Sequence, residues 1–137
     1  MTVAEARVIL EDGFLAAFQA EHPEVPVRRD NRTFRPPDDG PWIGLSVQHA
    51  TGYLDAIGAK KRYIRVGTTF IQVFVPLNTK MAGGDALVDD VVDILEGAVF
   101  GAASRVRCYA AIPYEVGRDE RWFQTNVTVR FDYDVVK

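Results

Sequence analysis

Few residues in this chain have the chemistry for acid–base or nucleophilic work. Histidine is the commonest general base, and there are two, His22 and His49. His22 stands beside Pro23 at the expected end of a helix, where capping is the simpler role. His49 ends an apolar run, with no histidine or cysteine at metal-ligand spacing. Cys108, the one cysteine, sits in another apolar run, as a small buried hydrophobe would. A reactive thiol needs an exposed, electropositive setting and a nearby base. Arg105 and Arg107 flank it, but strand alternation turns Arg107 to the opposite face. Asp89, Asp90, Asp93 and Glu96 gather on one side of a helix. A magnesium site there would need more oxygen ligands or a substrate phosphate, so the face reads as solvated. Gly83, Gly84 and Asp85 invite a phosphate-loop reading, but no lysine followed by Ser or Thr is in place, and an acid at a helix start repels phosphate. The expectation is a protein with no catalytic, metal or cofactor residues.

The strongest basic cluster is Arg28, Arg29, Arg32 and Arg35, with Phe34 among them. It admits three readings: nucleic-acid contact, a protein–protein interface, where Arg and aromatics are enriched, or a solvated loop. The chain has 16 basic and 19 acidic residues, a net charge of −3. That balance gives no long-range attraction for phosphate backbones and favours a protein partner.

At 137 residues the chain fits one domain, spanning 1–137. Its 47% hydrophobic and 26% charged residues are ordinary for a globular protein. A lone cysteine cannot form an internal disulfide, so folding in a reducing cytoplasm is expected. Met1–Leu10 has no apolar core of a signal peptide. Leu87–Phe100, with four acids, is too short and too charged to span a membrane.

These residues must be positioned by a coarse pattern of helices and strands. Thr2 and Glu5 have capping-box spacing. Val3, Ala6, Leu10, Phe14, Ala17 and Phe18 form one helical stripe. Gly13 interrupts it and implies close packing by a strand. The helix should stop by His22, before Pro23. Val25 and Val27 suit a short edge strand, followed by a long exposed loop, Arg28–Gly40. Trp42–His49 alternates as a strand, and Thr51–Lys60 reads as a second loop. Arg62–Val66 and Thr69–Pro76 read as a hairpin about Gly67 and Thr68. The second of these should be central and covered on both faces, since Phe70, Gln72 and Phe74 oppose Ile71, Val73 and Val75. After a turn at Leu77–Gly84, Asp85 suits an N-cap for a helix through Leu87, Val88, Val91, Ile94, Leu95, Ala98 and Val99, stopped by Gly101. Arg105–Ile112 reads as a strand, Pro113–Arg121 as a polar turn and Trp122–Val135 as a long strand solvated on one face. The expected class is α+β: a mixed, mostly antiparallel sheet of about five to six strands, with two helices packed on one face.

Arg65-Val66-Gly67 leading into Ile71, Gln72, Val73, Phe74, Val75 and Pro76, then Gly83-Gly84 and a helix with Ala86, Asp89 and Asp90, resembles the tail terminator family of long-tailed phages and gene transfer agents. The likeness covers nearly the whole chain. One departure is the turn after Pro76, where Asn78, Thr79 and Lys80 precede the glycines. The resemblance implies a mixed sheet with two helices and a homohexameric ring, with no enzymatic activity and no cofactor. It implies that the ring caps the tail tube protein, stops tube growth and meets the head–tail connector protein. DNA is then passing cargo only, with no membrane partner, and the protein sits at the head-proximal tail end of a virion assembled in the host cytoplasm. By that analogy Arg28, Arg29, Arg32, Phe34 and Arg35, with Tyr53, Lys60 and Lys61 of the second loop, contact neighbouring subunits, tube or connector. Asp89, Asp90, Asp93 and Glu96 form an acidic lumen wall or a solvated face. Two other readings stand beside this one: a small α+β enzyme or ligand-binding domain with a groove site, and a nucleic-acid-binding accessory protein using the Arg28–Arg35 loop.

Overall fold

The computed structural model describes residues 1–77, 80–103 and 105–137. Asn78 and Thr79 of the expected Leu77–Gly84 turn lie outside them.

Helix α1 spans Val3–Glu21 and opens with the capping box expected from Thr2 and Glu5. Each side chain bonds the other residue's backbone N–H, at 3.0 and 3.1 Å. Ala6, Leu10, Phe14 and Phe18 are wholly buried, whereas Val3 is exposed. The helix ends at His22, whose backbone N–H bonds Phe18 O. Gly13 is where Phe100 meets the helix: an added Cβ would collide with the Phe100 ring.

Strand β1 (Val27–Arg29) runs parallel to β2 (Trp42–His49). The expected loop from Arg28 therefore starts after Arg29. A short strand, β3 (Tyr53–Ala56), lies within the expected Thr51–Lys60 loop. It pairs with the start of β4, a 15-residue strand over Arg62–Pro76. The expected hairpin about Gly67 and Thr68 is thus absent, and both residues lie inside β4, opposite Phe131 and Arg130. Gly67 serves packing instead of a turn: a Cβ there would collide with the Phe131 ring and stand 2.6 Å from Gln48 O.

Helix α2 spans Met81–Leu95, with Lys80 at the N-cap. It begins a turn before the expected Asp85 because Gly84 is buried against Val75, so the first turn gains its order from packing. It stops before Gly97, whose φ of +70° suits glycine. The expected extension to Val99 fails there, since Val99–Phe100 reverse to form β5. Strand β6 runs from Val106 to Asp119, through most of the expected Pro113–Arg121 turn, and β7 covers Trp122–Val136. Pro113 is tolerated because this part of β6 is an outer edge.

Among the described residues seven strands order as β1-β2-β4-β7-β6-β5, with β3 also on β4, and only the β1–β2 pairing is parallel. The short β3 and β5 bring the count above the five to six expected. The class is α+β as expected, with both helices over one sheet face. That face carries the wholly buried Ile43, Ile71, Val127, Val129 and Phe131. Among the described residues no layer covers the opposite face. β4 is central, but its Phe70 and Gln72 are only partly buried, and Phe74 is buried within a small aromatic cluster with Trp42 and Trp122.

Candidate functional site

Three side chains were candidates for chemistry, and each has a structural task. The His22 Nε2 lies 2.7 Å from Asp90 Oδ2, tying the end of α1 to α2. Glu21 brings a third ligand atom within 4.8 Å of these two. Glu21 is exposed and Asp90 half-buried, so the trio is a tie between helices near the surface. His49 packs edge-on to Phe131 and Tyr133, with both ring nitrogens buried and unpartnered among the described residues. Burial, and then the charge of Arg7, lowers its pKa below the usual 6.5. Cys108 is buried, and desolvation with the nearby Asp132 pushes its thiol up to about 11. It is an inert thiol at neutral pH. Arg107 does face away from it: its guanidinium donates to Asp132 and Asp134, each at 2.7 Å, which raises its pKa above the ordinary arginine value. The hydrogen bond from the Tyr109 hydroxyl to Asp132 raises the phenol's pKa.

The basic cluster divides in two. Arg28 donates to Gln72 and stacks over Trp42 and Phe74, at 5.1 and 5.7 Å from the ring centres. Gly44 leaves the space for it: a Cβ there would stand 2.7 Å from Gln72 Oε1. Arg29 is bonded to the buried Glu11 of α1. Arg32 and Arg35 are exposed and make no ion pair among the described residues. The segment that carries them is held at two points. Asp30 accepts from Val47 N–H at 3.1 Å and from Ser46 Oγ at 3.2 Å, and Phe34 packs on Trp42 at 5.1 Å between ring centres. Asn31, at φ +56°, turns the chain between these anchors. An open groove of about 550 Å³ lies beside it, bordered by Arg28, Arg32, Ser46 and Gln72.

Tyr53, Lys60 and Lys61 all lie on the β3–β4 hairpin and are exposed. Lys61 pairs through its backbone with Lys137 in both directions. Ile57, beyond the end of β3, is 81% exposed.

The acidic side of α2 is not uniform. Asp90 holds His22, and Glu96, just past the helix, accepts from Ala111 N–H at 2.9 Å. Asp89 and Asp93 are exposed and unpaired among the described residues.

Sequence reasoning missed the outer edge of β6. Tyr109, Ile112, Tyr114 and Val116 are 44 to 61% exposed along it. Two register shifts, at Cys108/Ala111 and Glu115/Gly117, bend this edge. The alternation of Ile112 and Tyr114 was the available signal. Pro113 and the charges after it masked it.

The fold and surface therefore define a sheet covered on one side, with a basic segment at one edge and an apolar strand near the other. This is the anatomy of a protein that meets other chains. The chain belongs to the phage tail terminator protein family, whose model matches residues 9–131. No curated protein matches its sequence. One solved structure, known only by a sequence identifier, superposes with a TM-score of 0.73 at 18% identity, over 97% of this chain and 96% of that one. Another, from the virion of a native gene transfer agent particle, gives 0.59 at 14% identity, over 88% and 86%. At those identities the likeness is one of fold. Membership in the family makes the protein a structural tail component of a virion, in contact with other virion proteins. No helix among the described residues is long and apolar enough to cross a membrane.

Proposed function

We propose that this protein is the subunit of a ring, a homohexamer, that caps the finished tail tube, halts its growth and joins the tail to the head connector, without catalysing a reaction. The observation that carries the reading, beside the family match over residues 9–131, is the exposed apolar row on β6. Ile112 and Val116 are 61 and 52% exposed and serve no packing need of their own domain. A free monomer would leave them wet, whereas a closed assembly would cover them. On this reading the ring stands at the head-proximal tail end and DNA passes through its lumen. The exposed β3–β4 hairpin, with Tyr53, Ile57, Lys60 and Lys61, is placed to contact tube or connector.

Polymerising tail tube protein with and without this protein tests the reading. The expected result is shorter tubes with a ring of extra density at one end in electron micrographs. Tubes of unchanged length with bare ends would overturn it.

A further inference from the structure

A ring of identical subunits needs two different, complementary patches on each copy, because its contacts are head-to-tail. Resting on the ring reading, we infer that Arg32 and Arg35 of one copy dock into an acidic groove between α2 and β6 of the next.

The groove has a volume of about 410 Å³ and is bordered by Asp85, Asp89 and Glu115, with Pro113 and Tyr114 on the strand side. Among the described residues no basic side chain lines it. None of its three carboxylates makes an ion pair among the described residues. Three like charges around one hollow repel each other, and a guanidinium entering it relieves that repulsion. Tyr114, half exposed, also lines the hollow, so an incoming segment meets an aromatic side chain there.

The complementary patch lies at the other side of the sheet. β1 is the first strand of the order β1-β2-β4-β7-β6-β5, whereas β6 lies towards the far end. Just after β1, Arg32 and Arg35 are exposed without acidic partners among the described residues, and the anchors at Asp30 and Phe34 fix the segment that carries them. A pre-ordered segment loses little conformational freedom on docking. Strand addition is a poorer alternative at the β6 edge, since Pro113 lacks an N–H and the two register shifts bend the strand. Side-chain docking suits this edge better.

Two charge-reversed proteins test the contact: R32E/R35E and D85K/D89K. In a head-to-tail ring each contact joins one copy's arginine segment to its neighbour's groove. Either variant alone therefore sets like charges against each other. In a 1:1 mixture every contact between unlike copies is again complementary, and an alternating, even-membered ring closes. Mass by size-exclusion chromatography with light scattering, alone and on assembled tail tubes, is the readout. The expected result is ring mass for the native chain, its loss in each variant, and its return on mixing. Return on mixing also shows that both variants are folded. Rings that persist in either variant, or that fail to return on mixing, overturn this contact and leave the ring reading standing. A native chain that never assembles, even on tubes, overturns the ring reading and the contact together.

Discussion

The Arg29 guanidinium lies 2.7 Å from a carboxylate oxygen of Glu11, and this pair fastens the edge strand β1 to helix α1. Glu11 is 8% exposed, so its charge has little water to fall back on. Replacing Arg29 by Ala leaves that carboxylate only its longer ion pair with Arg7, at 3.8 Å. The expected cost is about 2 kcal/mol, or a fall of about 7 °C in Tm for a chain of this size. The double variant R29M/E11L should recover most of the loss, because a buried pair replaced by apolar groups is close to neutral. Thermal unfolding followed by circular dichroism decides. A single variant within 1 °C of the native chain would show that the pair contributes nothing.

Gly67 and Phe131 are paired across β4 and β7, and the glycine makes room for the ring. A Gly67→Ala substitution puts a methyl group against Phe131 and 2.6 Å from the Gln48 carbonyl. One of these neighbours is backbone, so the strand must shift. Overpacking of this kind costs about 1–3 kcal/mol. Chemical denaturation should show the midpoint falling with little change in slope.

The same glycine shows why part of the fold was legible and part was not. Periodicity located both helices, β2 and β7, because each shows the core one regular apolar face. Thr2 and Glu5 marked the start of α1 because a capping box is local chemistry. Gly67-Thr68 reads as a turn because glycine permits one, but the need for it lies in Phe131, 64 positions away, which local reading does not see. Gly83 and Gly84 misled in the same way, since contact with Val75 starts α2 early. In the candidate site the cluster of arginines was visible, but its division was not. Nothing local tells that Arg28 stacks on Trp42 while Arg32 stays free. The acidic groove was also hidden, because Asp89 and Glu115 meet only through the packing of α2 beside β6.

His49 predicts an acid sensitivity. Its pKa in the fold is lowered from 6.5, chiefly by burial. Between pH 6.5 and that lowered value the unfolded chain binds a proton that the folded chain does not. Stability is therefore full above about pH 6.5 and falls as the pH drops. His49→Leu removes the titration and leaves no unpaired ring nitrogens, so its stability should vary less with pH over that window. Denaturation midpoints at pH 7.5 and 5 measure this. An equal drop in both proteins would assign the sensitivity to other groups.

Phe34 predicts a local effect in contrast to these global ones. It packs against Trp42 on the uncovered sheet face and holds the segment carrying Arg32 and Arg35. Phe34→Ala loses one aromatic contact, worth about 1 kcal/mol, and leaves the main core intact. The Asp30 anchor remains, so the expected change is faster amide exchange confined to the residues around 32–35. If docking of this segment joins the subunits, its looser state must be ordered at assembly, and the protein concentration needed for ring formation should rise several-fold. Exchange rates and light scattering on the same sample separate the two effects. Faster exchange with unchanged assembly would show that the order of this segment has no part in joining subunits.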